Sequence, residues 1–91
     1  LTERMVEYCY FHEEQTRELD AWLISLNPGE LTKKTRVYLI ELCIIRGYSK
    51  EAFEYVSAYG SDGISPDLLL KMTVRRITET LYEYSETLVN L

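Results

Sequence analysis

The sequence predicts an all-α chain of antiparallel helical hairpins, about five or six helices in all. Three observations carry that prediction. Apolar residues recur at helical spacing through most of the chain, and no stretch shows the clean alternation that marks a strand. The four glycines and two prolines fall between the periodic stretches rather than inside them. The chain also overlays on itself after a shift of 34 residues, turn upon turn as well as helix upon helix.

Taken in order, Leu1, Met5, Tyr8, Cys9 and Phe11 lie close to helical spacing over residues 1–12, and the polar run from His12 to Thr16 interrupts them. Thr16 suits the N-cap of a second helix, in which Leu19, Trp22, Leu23 and Leu26 form one face. Asn27-Pro28-Gly29 ends it, because proline disfavours helical geometry at the residue before it. Thr32 caps a third helix running to about Arg46. Its stretch Val37–Ile45 is apolar almost all round, broken only by Glu41, so it must be covered on most sides and belongs in the middle. Gly47 closes that helix and Ser49 is expected to cap the next, whose apolar face is Ala52, Phe53, Val56 and Tyr59. Gly60 and Ser61-Asp62-Gly63 supply turn chemistry, and Ser65-Pro66-Asp67 is a helix start. From there Leu70, Val74, Ile77, Leu81, Tyr84, Leu88 and Leu91 alternate by four and three, which predicts one helix over about 66–90. The alternative is a turn near 81–84 with Ser85 capping a separate helix.

Composition narrows the classes of function. Hydrophobic residues at 46% and charged residues at 27% are ordinary for a globular chain, and 91 residues make one domain or a few repeat units. A net charge of −5 argues against nucleic acid as the main ligand, since phosphate binding needs a basic face. The charge is uneven: net −5 over residues 1–30, +2 over 31–60 and −2 over 61–91. Cys9 and Cys43 are too few for a disulfide framework, so the expectation is a reducing, cytoplasmic setting with both thiols buried and inert. No apolar run is long enough for a membrane span. The chain begins at Leu1 rather than Met, and the expectation is a fragment of a larger protein.

In the overlay Val6 meets Ile40 and Val74, Cys9 meets Cys43 and Ile77, and Asn27-Pro28-Gly29 meets Ser61-Asp62-Gly63. Within residues 33–66, Leu39, Gly47 and Ala52 fall where tetratricopeptide repeats have their leucine, inter-helix glycine and small packing residue. On these residues the chain resembles a divergent tetratricopeptide repeat. It departs from that family at Arg36, Ile40 and Cys43, where the repeat has tryptophan, glycine and tyrosine, and Pro66 stands two places late. The resemblance implies a right-handed array with units at roughly 1–31, 32–65 and 66–91. It further implies a concave face lined by the first helix of each unit: Glu3, Glu7 and Tyr10; then Lys34, Val37 and Glu41; then Leu68, Lys71, Arg75 and Thr78. Such a face would take a protein or peptide segment.

Little in the chain points to catalysis. Cys9 and His12 make a C-x-x-H spacing, but a zinc site needs about four ligands and no others stand at a fitting spacing, so no metal and no cofactor is expected. The acids Glu13, Glu14, Glu18 and Asp20 have no evident partner base and read as a solvated face, and there is no Gly-rich phosphate loop. Lys71, Arg75 and Arg76 form a basic cluster that mimics a DNA-reading helix, against the acidity of the whole. Tyr8, Tyr38 and Tyr55 are expected to pack at seams between helices. The expectation is a non-enzymatic interaction or assembly scaffold. The alternatives are a purely structural spacer or oligomerisation segment and, third, a nucleic-acid-binding regulator. If the last helix is unbroken, its stripe outruns the hairpins beneath it, and a homodimer through residues 81–91 follows.

Overall fold

The computed structural model describes residues 1–12 and 14–90; Glu13 and Leu91, named above among the acids and in the last stripe, lie outside them. The described residues are all-α without a strand: α1 (Thr2–Phe11), α2 (Arg17–Ser25), α3 (Lys33–Ile45), α4 (Ser49–Tyr59) and α5 (Pro66–Val89). A single 3-10 turn, Pro28–Glu30, stands where the sequence suggested only a break, and the Asn27 side chain accepts the Gly29 N–H to start it.

The caps at Thr16 and Thr32 form as expected, each threonine accepting a backbone N–H three residues on. Ser49 does not cap α4. Tyr48 takes that place, and the Ser49 hydroxyl donates instead to Glu79 of α5 (2.9 Å). The α3–α4 turn closes by a paired C-terminal motif in which Gly47 N–H bonds Ile44 and Tyr48 N–H bonds Cys43 (3.2 and 2.8 Å). Gly47 sits at φ +90°, which a residue with a side chain rarely adopts. α5 is one unbroken helix, with Ser85 in its interior.

α3 is the axis of the fold. Leu39, Ile40, Glu41, Leu42, Cys43 and Ile44 are buried in succession, and a helix turns through all its faces within six residues, so every side is covered. α1, α2, α4 and α5 each pack on α3, and α4 also packs on α5. Residues 1–31 therefore do not make a self-contained hairpin: the main contact of α1, like that of α2, is α3. The reason lies in composition, because α1 buries only Val6 and Cys9 and α2 only Leu23 and Asp20, too little apolar surface to hold the two together alone.

Asp20 corrects the reading of a solvated acid. It is buried, and Arg46 (2.8 Å), Tyr48 (2.9 Å) and Gln15 (3.0 Å) all donate to its carboxylate, while Arg46 also reaches the Glu14 carbonyl. Burial pushes this carboxyl up, but the hydrogen bonds from Gln15, Tyr48 and Arg46 outweigh it and leave Asp20 below its ordinary value. The pair fastens α2 to the α3–α4 turn. Tyr8, expected at a seam, is exposed and stacks on His12 at 3.9 Å, whereas Tyr38 and Tyr55 are half-buried.

Two predictions follow from the core. Asp20→Ala strands a buried guanidinium and should cost about 3–5 kcal/mol in chemical denaturation. The folded value of Asp20 is depressed, so its contribution is fully present above the unfolded value near ~3.9 and is lost as pH falls through the folded one; acid unfolding of Asp20→Ala should show a smaller pH dependence in that window. Cys9 and Cys43 are each 3% exposed and unpaired, and burial pushes the Cys43 thiol up to about 12. Their reaction with an aromatic disulfide reagent should track global unfolding rather than run ahead of it.

Candidate functional site

The first-helix residues named from the sequence do not form one continuous face. Tyr10, Lys34, Val37 and Glu41 come together where α1 crosses α3. The Tyr10 ring stacks on Tyr38 at 4.3 Å, Phe11 meets the same Tyr38 ring edge-on at 5.5 Å, and the Lys34 ammonium lies 5.9 Å from it. Beside this cluster is a shallow hollow of about 440 Å³ lined by Lys33, Lys34, Val37, Tyr38 and Gly63. Its floor is apolar and aromatic and its rim carries the two lysines, one of which, Lys33, pairs with Asp62. Tyr38, Phe11 and Gly63 were not among the expected site residues. Their relevance comes from the α1–α3 crossing, which no local periodicity reports.

Glu41 sits under this patch rather than in it. Its carboxylate is 5% exposed and accepts the Tyr10 hydroxyl (2.6 Å) and the Ser65 N–H at the start of α5 (2.9 Å). The hydrogen bond to Glu41, aided by burial, pushes the Tyr10 phenol up to about 12, so it stays a donor at any physiological pH. Glu3, half-buried at the surface, is also engaged, accepting the Thr32 N–H at the start of α3 (2.6 Å). Glu7 is exposed.

On α5, Leu68 is half-buried while Lys71, Arg75 and Thr78 are exposed. Arg75 pairs with Glu79 one turn on (3.4 Å), not with Glu41, and Arg76 bonds the same Glu79 (3.1 Å). The Ser49 hydroxyl does most to hold the Glu79 carboxyl below its ordinary value, with both arginines adding to it. The basic cluster is thus partly neutralised by its own helix. The Thr78 hydroxyl turns back to the Val74 carbonyl (2.8 Å).

The outer face of α5 is the larger apolar surface. Leu70, Val74, Ile77, Leu81, Tyr84 and Leu88 are between 52% and 65% exposed, and every described residue from Thr80 onward is exposed. Among the described residues no three His, Cys, Asp or Glu side chains gather as ligands of a metal would, and no helix is long and apolar enough to cross a membrane.

Residues 1–83 match the N-terminal family of DUF5717, a family of unknown function, and the chain belongs to that family. No curated protein and no solved structure matches it.

The patch generates a prediction of its own. Tyr10→Phe keeps the ring stack on Tyr38 but leaves a buried carboxylate one donor short, and should destabilise the fold by about 1–3 kcal/mol in urea titration. Tyr10→Phe combined with Glu41→Gln should cost less than the sum of the two single changes.

Proposed function

We propose that this family member is a non-enzymatic scaffold for protein interaction and assembly, built as a tetratricopeptide-like helical array. The observation that carries the reading is the sequence separation of its contacts. Among the described residues, every side-chain hydrogen bond reaching beyond eight residues spans between 24 and 32. A stacked array behaves this way, because each unit touches only the next. The helices agree: α1 and α5 each pack on α3 and have no substantial contact with each other.

The 34-residue overlay has a counterpart in burial. Val6 and Cys9 of α1 are buried, as are Ile40 and Cys43 of α3, while Val74 and Ile77 of α5 occupy the same register uncovered. A reducing, cytoplasmic setting suits the two unpaired thiols. The ligand of the array would be a polypeptide segment that places an apolar side chain over Val37 and Tyr38 and an acid near Lys34, with a base toward Glu7. Charge of that order fixes direction more than it adds affinity.

Two measurements test the reading. Native-state hydrogen exchange should find α3 most protected, with α1 and α2 opening below the global unfolding energy and independently of α5; uniform exchange through one cooperative transition counts against an array. Glu7→Lys with Lys34→Glu should abolish capture of the protein's cellular partners while helicity is retained. Capture unchanged by the reversal would move the function from the groove to a structural spacer.

A further inference from the structure

We infer that the outer stripe of α5 is a dimerisation seam that takes the α5 of a second copy of this chain, antiparallel, about a two-fold axis near Glu79. The inference goes beyond the scaffold reading and does not depend on any ligand at the α1–α3 groove. It begins with an uncovered helix. The part of α5 from Thr80 onward is exposed on every side, and a helical segment that short is marginal in water by itself. Something that binds it stabilises it.

The stripe has the form of a seam rather than of a domain face. A helix buried in a globular core carries a broad apolar face, as α3 does, whereas a strict alternation of four and three is the narrower signature of a two-helix coil. Leu70, Val74, Ile77, Leu81, Tyr84 and Leu88 keep that alternation without a break. The side of α5 that packs on the body, with Met72 buried and Glu79 bonded to Ser49 of α4, lies opposite; only Phe53 of α4 reaches the edge of the seam, where it shares a hollow with Ile77 and Leu81, and a partner on the seam covers that ring as well.

The pattern is also its own complement. Spacings of four, three, four, three, four read the same in both directions. Run antiparallel, the stripe sets Leu70 against Leu88 of the second copy, Val74 against its Tyr84 and Ile77 against its Leu81. The smallest residue thus faces the largest. This is the self-complementarity that a two-fold interface requires.

Charge selects an identical copy over a charged partner. The rows flanking the seam are Thr73, Thr80 and Thr87 on one side and Lys71, Thr78 and Ser85 on the other. Antiparallel pairing sets Lys71 against Ser85 and threonine against threonine, so no like charges meet even though each chain carries −5. The acids Glu79, Glu83 and Glu86 lie away from the seam. Covering six side chains that are 52–65% exposed on each copy removes on the order of 1,200 Å² in total, above the roughly 1,000 Å² that a specific interface needs.

Sedimentation equilibrium on the whole chain from micromolar to millimolar concentration should give twice the 10.7 kDa chain mass. Leu81→Glu with Leu88→Glu should weaken association by at least roughly 100-fold, since each seam leucine contributes a buried contact worth tenfold or more. Leu88 lies beyond the packed body and Leu81 at its edge beside Phe53, so Trp22 fluorescence and the urea midpoint of the monomeric variant report whether the body is intact. Thr80→Cys should cross-link copy to copy under mild oxidation, and Thr87→Cys alone should not, because its counterpart is Thr73. A monomer at millimolar concentration, a dimer undiminished in the double variant, or cross-linking through Thr87→Cys rather than Thr80→Cys would overturn the seam. None of these outcomes bears on the exchange and charge-reversal tests of the scaffold.

Discussion

The constraint on which the rest of the structure depends is the burial of α3 on all sides. A helix with one apolar stripe needs one neighbour; a helix buried from Leu39 through Ile44 needs several. Fully burying a leucine or isoleucine contributes about 1.5–3 kcal/mol each, so α3 alone accounts for a large share of the driving force in a chain this small. α1 and α2 bury too little to associate mainly with each other, and each is placed by what it covers on α3. α3 is therefore the axis that the other four helices share.

Polar groups decide where along α3 each neighbour sits. Apolar contact is tolerant of sliding, whereas a buried carboxylate is not, because losing its donors leaves a desolvated charge. Three acids are held at the starts of other helices: Glu3 of α1 at Thr32, Glu41 of α3 at Ser65 and Glu79 of α5 at Ser49. Local capping of α4 and α5 is correspondingly absent, with neither Tyr48 nor Ser65 bonding through its side chain into its own helix. The N–H at the start of α5, at Ser65, is satisfied across the fold by Glu41, while at the start of α4 the Ser49 hydroxyl ties the helix to Glu79. Asp20 serves the same end from α2, where Arg46 and Tyr48 converge on it from the α3–α4 turn. Arg36 works similarly within the central pair, its guanidinium 4.8 Å from the Tyr59 ring and bonded to the Pro28 carbonyl.

What was legible in the sequence follows from this division. Helix positions, the caps at Thr16 and Thr32, the turn at Gly47 and the unbroken α5 all rest on interactions within a few residues, and periodicity or turn chemistry reports them. The central place of α3 was legible too, because burial on all sides leaves a one-helix signature. The roles of Asp20, Glu41 and Ser49 were not. Each has long-range partners 24 to 31 residues away, and in isolation an aspartate near a helix start or a serine before a helix has a perfectly good local reading. The candidate groove was half legible: Lys34 and Val37 line one hollow and Tyr10 stacks on Tyr38 beside it, but Glu41 is buried against the Tyr10 hydroxyl, and Tyr38 and Gly63 enter only through the crossing of α1, α3 and the loop before α5.

α5 obeys both rules at once, and its shape shows it. The radius of gyration is 14.3 Å, against about 12 Å for a compact chain of this length, and the excess comes from one helix running past the body it packs on. On its inner side α5 behaves like the other helices, fixed by Met72 in the core and by Glu79 against Ser49. On its outer side it carries apolar residues in a register that, 34 and 68 residues earlier in the chain, is buried at Ile40 and Cys43 and at Val6 and Cys9. A surface tail under no demand for cover would be expected to carry polar residues at those positions, as the threonines beside them do. The outward residues at Val74 and Ile77 thus form a face that fits cover, and the narrow alternation of the stripe suits a single helix laid along α5.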